Sequence, residues 1–156
     1  MDNQKELSTV RHLFSYSGWT QIDSAPRLKS ISRSEIILKK IFDYVANTEC
    51  LEGITVKKVA SEIGVSERTL FRVLKSNNVT FYQLLSRERM IRCFFYLTHG
   101  PSSGVIIAER LGFSDPAYFY QSFKHWTGVS FRTAKNLIDE DSNNVGSIFN
   151  VIGCPN

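Results

Sequence analysis

Cysteine is scarce and unpatterned in this chain. Cys50, Cys93 and Cys154 are odd in number and none forms a CxxC pair, which argues against a disulfide framework or a thiolate zinc site and fits a reducing compartment. Long apolar runs are also missing. The longest are a few residues, such as Val105-Ile106-Ile107-Ala108 and Phe94-Phe95-Tyr96-Leu97, far below the ~20 that a membrane helix needs. The start, Met1 to Glu6, has no cationic segment ahead of an apolar one, so no secretory signal is visible and a cytoplasmic protein is expected. There is no convincing alternation of strand type, and no phosphate loop, HExxH, paired metal-ligand spacing or nucleophile motif. Neither catalysis nor a cofactor nor a metal is expected. The 156 residues exclude a large multidomain enzyme.

What is present is a basic centre. Residues 27–138 hold 17 Lys and Arg against 9 Asp and Glu, a net of +8, whereas residues 1–26 carry 2 against 3 and residues 139–156 carry 0 against 3. That distribution suits a polyanion binder.

Helical signals fill the same stretch. Ser32 with Glu35 is a capping box opening a helix to about Asn47, with Ile37, Ile41 and Val45 on one stripe. Thr55 caps a second helix carrying Val56, Val59, Ala60 and Ile63, which Gly64 ends, and Ser66 caps a third with Leu70, Val73 and Leu74 inward. Thr80 with Gln83 opens a longer helix to about Leu97, its apolar face including Leu84, Leu85, Met90, Phe94 and Leu97. Cys93 on that face is expected to be a small buried hydrophobe. A short helix from Val105 to Leu111, one from Asp115 and Pro116 to Gly128, and a last one from Ser130 to about Ile138 complete the series. The expected fold is all-α, about seven helices, with two helix-turn-helix subdomains joined by a long connecting helix.

Two segments of the series repeat. Val59-Ala60, Gly64-Val65-Ser66, Leu70 and Leu74-Lys75 are matched in order by Ile107-Ala108, Gly112-Phe113-Ser114, Phe119 and Phe123-Lys124, at an offset of 48 up to Ser114 and 49 beyond it. Each is a helix-turn-helix by its physics: a small Ala lets two helices approach, Gly supplies a positive φ in the turn, and an apolar pair four apart docks the second helix. The outward face of that second helix is free to enter a DNA major groove.

On the first such helix, Arg68 and Arg72 are candidates for bidentate contact with guanine and Phe71 for contact with a thymine methyl. On the second, Ala117, Tyr118 and Gln121 are the candidate base readers, Gln121 being suited to adenine. Candidate phosphate contacts are Thr55, Lys57, Lys75, Tyr120, Lys124, Ser130 and Arg132, several of them at helix starts. The connector over 80–97 is expected to span about 27 Å, close to the ~34 Å of one DNA turn, so that one monomer reads two successive segments.

Here the chain resembles a known family. The connector Leu84-Leu85-x3-Arg89-Met90-x2-Cys93, the step Ile107-Ala108-x3-Gly112-Phe113, and Phe119-x3-Phe123-Lys124-x3-Gly128 are similar to the DNA-binding domain of AraC/XylS-type bacterial transcription regulators, over about Glu35 to Ile138. The resemblance implies an activator that binds double-stranded promoter DNA and contacts RNA polymerase. It divides the chain into an N-terminal arm (1–30), a DNA-binding domain (31–138, with helix-turn-helix units at about 55–76 and 103–126) and a C-terminal tail (139–156). With no effector domain in the first 34 residues, a stand-alone regulator controlled by abundance or by another regulatory protein is expected, a monomer on DNA with dimerisation through the arm left open. Gly104 departs from the family's branched aliphatic four residues before the Ala, so the helix there is expected to begin late or to be less stable, with Val105 and Ile106 compensating. The alternative is a protein-interaction adaptor or anti-activator built on the same helix-turn-helix units.

Overall fold

The computed structural model describes residues 32–100 and 103–140. The expected arm over 1–30 and nearly all of the expected tail lie outside the described residues. Among those described there are seven helices and no strand: α1 (Arg33–Asn47), α2 (Val56–Glu62), α3 (Glu67–Ser76), α4 (Phe81–His99), α5 (Gly104–Arg110), α6 (Pro116–Thr127) and α7 (Phe131–Glu140).

The start signals act through the hydrogen bonds that define them. Ser32 N–H donates to Glu35 Oε2 at 2.7 Å while Glu35 N–H donates to Ser32 Oγ at 3.2 Å, a complete capping box. The Ser32 backbone N–H, with its hydroxyl second, holds the Glu35 carboxyl below its usual range. Thr80 and Gln83 exchange the same pair of bonds at 2.8 and 3.1 Å. The stop signals are weaker guides, and α4 and α7 each run two residues past their expected ends at Leu97 and Ile138. α5 also departs from expectation: it starts at Gly104 itself, and Val105 and Ile106 face solvent instead of compensating within the core.

The described residues fall into two compact units, with the break between Arg89 and Met90 inside α4. In the first, Ile41 and Val45 of α1, Val59 and Ala60 of α2, and Leu70 and Leu74 of α3 close around Leu51. In the second, Phe94 of α4, Ile107 and Ala108 of α5, Phe119 and Phe123 of α6, and Phe131 of α7 form an aromatic core. Phe131 meets Phe119 and Phe123 edge-on at 5.4 and 5.3 Å between centroids, the geometry that ring quadrupoles favour. Each fully buried Phe contributes on the order of 1.5–3 kcal/mol. Cys93 is fully buried in this core, as expected of a small hydrophobe, and burial pushes its thiol pKa well up.

Candidate nucleic-acid interface

The two helix-turn-helix units share one turn. After α2, Val65 N–H donates to the Ala60 carbonyl at 2.9 Å and Gly64 N–H to Ser61 at 3.2 Å; after α5, Phe113 N–H donates to Ala108 at 3.0 Å and Gly112 N–H to Glu109 at 2.9 Å. Both are Schellman closures, with Gly64 at φ 72° and Gly112 at φ 73° in the left-handed region that a Cβ disfavours. The units diverge at the next step. In the first, Ser66 follows the turn directly and caps α3 by accepting from Thr69 N–H at 3.1 Å. In the second the cap passes one residue on, from Ser114 to Asp115, which accepts from Ala117 N–H at 2.8 Å ahead of Pro116. That shift is the extra residue in the repeat, and it gives both second helices a capped, defined start.

On α3, burial of Leu70, Val73 and Leu74 leaves Arg68, Phe71, Arg72 and Lys75 exposed, Phe71 by 53 %. Their spacing of three, four and seven puts all four on one stripe. The stripe carries three cations around one aromatic ring, with Glu67 beside it at the helix start. At the start of α2, Thr55 accepts from Lys58 N–H at 3.2 Å, leaving Lys57 and Lys58 exposed in the first turn.

On α6 the matching positions, 49 residues on, are Ala117, Tyr120, Gln121 and Lys124. All four are exposed, as is Tyr118, whose ring lies 5.9 Å from that of Phe113. Five of the residues expected at the interface are brought together here: Tyr120, Gln121 and Lys124 of α6 line an open cleft of about 430 Å³ with Ser130, Phe131 and Arg132 at the start of α7. Ser130 Oγ accepts from Thr133 N–H at 3.1 Å, so the N-terminal end of the ten-residue α7, where a helix attracts anions, opens onto this cleft. Chemically, the cleft offers two cations, an amide and backbone donors around an aromatic floor, a set suited to a sugar-phosphate strand beside a base edge.

Sequence reasoning missed what holds the cleft's walls. Thr127 is buried at the end of α6; its hydroxyl donates to the Phe123 carbonyl at 2.8 Å and accepts from Val129 N–H at 3.3 Å, which fixes the turn into α7. A Thr ahead of Gly was the available signal. Arg110 lies over the Tyr96 ring at 5.3 Å, a cation–π pair between α5 and α4 that spacing does not announce. Among the described residues no group of three or more His, Cys, Asp or Glu is placed to hold a metal, and no helix is long and apolar enough to cross a membrane.

The chain is similar to several known proteins. A family model described as a helix-turn-helix domain matches residues 59–136, half of the chain. The transcriptional activator AggR of Escherichia coli is 32 % identical over 76 residues, covering 49 % of this chain and 29 % of AggR. The ornithine utilization regulator of Pseudomonas aeruginosa is 36 % identical over 73 residues, 47 % of this chain and 22 % of the regulator. The matched stretch is thus less than a third of either relative. Among solved structures, the C-terminal domain of AraT, a response regulator from Geobacillus stearothermophilus, superposes with a TM-score of 0.61 at 27 % identity, covering 68 % of this chain and 88 % of that one. A DNA-binding transcriptional dual regulator from Escherichia coli K-12 superposes at 0.60 with 21 % identity, covering 65 % and 96 %, a likeness of fold.

Proposed function

The chain belongs to the AraC/XylS-type helix-turn-helix family, and from that premise we propose that it is a sequence-specific transcription regulator, an activator, that reads two successive major-groove segments of promoter DNA. The observation that carries this reading is the exposed stripe of Arg68, Phe71, Arg72 and Lys75 on a helix whose other face is buried. A stripe of that kind, on the second helix of a helix-turn-helix, is how a protein presents base-reading groups to a groove.

In this reading Arg68 and Arg72 bond guanine edges and Phe71 packs on a thymine methyl, while Gln121, with Ala117 and Tyr118 beside it, reads the second segment. Thr55, Lys57 and Lys75 of the first unit, and Lys124, Ser130 and Arg132 of the second, hold phosphates at helix starts and flanks, with Tyr120 beside the latter three in the cleft. One monomer engages the site, and RNA polymerase or another regulatory protein is the partner that turns binding into a change of transcription.

Mapping promoter occupancy in cells tests the reading directly. Discrete sites are expected with the unaltered protein and their loss with Arg68→Ala and Arg72→Ala together; occupancy that is absent, or unchanged by both substitutions, overturns it.

A further inference from the structure

The two recognition helices differ at several equivalent positions, and one of these differences has a partner in the neighbouring helix. Phe71 and Tyr120 correspond under the 49-residue offset, and Val56 and Gly104, each the first residue of its helix, correspond under the 48-residue offset. In the first unit Val56 is partly buried against the core and Phe71 turns to solvent. In the second unit the position of Val56 is taken by Gly104, which is buried, and the Tyr120 ring leans into the space left empty. A Cβ built on Gly104 would lie 2.5 Å from Tyr120 Oη, 2.8 Å from its Cε1 and 3.0 Å from Phe131 Cε1. Non-bonded carbon and oxygen atoms at such distances are well inside their contact radii. The ring is also held at 5.3 Å from Phe119 and 5.6 Å, edge-on, from Phe131, so it spans α5, α6 and α7.

We propose that Gly104 is a positioning residue of the second helix-turn-helix: its missing side chain is the notch that seats Tyr120, and the seated ring sets where Gln121 and Lys124 stand on the cleft. The proposal rests on the DNA-reading function above. It gives Tyr120 a role as an internal anchor, in place of the phosphate contact that its exposed position suggests, and it makes the two units read DNA with different chemistry. The first offers an aromatic ring to the groove, and the second spends its equivalent ring on bracing. It also accounts for a helix that begins at a glycine despite its low helix propensity.

The test has a protein-only arm and a DNA arm, both with the full chain. In the first, thermal midpoints are measured for Gly104→Ala, Tyr120→Ala and the double variant. Gly104→Ala is expected to lower the midpoint when Tyr120 is present and to leave it unchanged or raise it in the Tyr120→Ala background; an equal effect in both backgrounds overturns the proposal. In the second, sequences are selected from duplexes randomised over roughly 25 base pairs, enough for two successive groove segments. The unaltered protein is expected to select two short preferences, one lost with Arg72→Ala and the other with Gln121→Ala. Gly104→Ala is expected to lose the Gln121 preference and keep the Arg72 one, a pattern that general destabilisation does not produce. If Gly104→Ala does not fold, Tyr120→Ala, which empties the notch from the other side, is expected to show the same selective loss. Retention of the Gln121 preference in the folded variant overturns the positioning role while leaving the DNA-reading function intact; an unaltered protein that selects no sequence overturns both.

Discussion

An arginine on the outer face of a helix contributes little to folding, so its removal isolates what it does to a ligand. Arg72 is exposed on α3 and shares its stripe with Arg68. Arg72→Ala is expected to weaken specific binding by about 5- to 150-fold, equivalent to the ~1–3 kcal/mol of one bidentate base contact, with non-specific binding reduced far less. Titrating a selected and a scrambled duplex by fluorescence anisotropy checks it, and equal losses on the two would count against base reading. The cysteines offer a second comparison at this scale. Cys93 is fully buried and its thiol is pushed up, while Cys50 is exposed; because the thiolate is the reactive species, an alkylating reagent at neutral pH is expected to modify Cys50 in the native protein and Cys93 only after unfolding, as peptide mass spectrometry would read. Arg68, Arg72, Gln121 and Lys124 were legible in the sequence because a helix's inward residues betray its outward ones. Gly104 was legible only as an anomaly, since a notch is defined by the ring that fills it and that ring lies sixteen positions away.

At the scale of the element, caps and turns decide where the reading helices begin. Gly64→Ala is expected to destabilise the protein by about 1–2 kcal/mol through the left-handed backbone alone, because a Cβ there meets nothing within 4 Å; chemical denaturation would measure it. Ser66→Ala removes the cap of α3 and is expected to cost about 0.5–2 kcal/mol. The Glu35 capping box adds a pH dependence. Its carboxyl is held below its unfolded value by Ser32, so its contribution is present above the ordinary carboxylate range and lost as pH falls through the lowered folded value. Glu35→Gln is expected to remove that part of the acid dependence, seen as a flatter melting-temperature profile on the acidic side. These starts could be read from the sequence because each cap is a local hydrogen bond between residues three apart. The ends of α4 and α7 could not, because fraying at a C-terminus is settled by packing rather than by a local donor–acceptor pair.

For the molecule as a whole, the net charge of +4 understates what a polyanion meets, since the helical region carries +8 between acidic ends. Binding to duplex DNA is expected to weaken with salt at a slope of about −0.9 per neutralised phosphate, and replacing Lys57, Lys75, Lys124 and Arg132 by Ala is expected to make that slope shallower by about 0.9 for each cation engaged. Affinity measured across a salt series checks this, and a salt-insensitive slope unaffected by all four substitutions would favour a protein-binding adaptor instead. The sequence by itself determined the helices, their caps and the outward stripe, because each depends on residues within about one or two turns of one another, and the repeat, because its two copies match position by position in residue type. Only the tertiary structure decided that Tyr120, Gln121, Lys124, Ser130 and Arg132 line one cleft, and that Gly104 is where Tyr120 rests. Those meetings join residues from three helices, and the close packing of aromatic rings, which no local spacing encodes, is what brings them within reach.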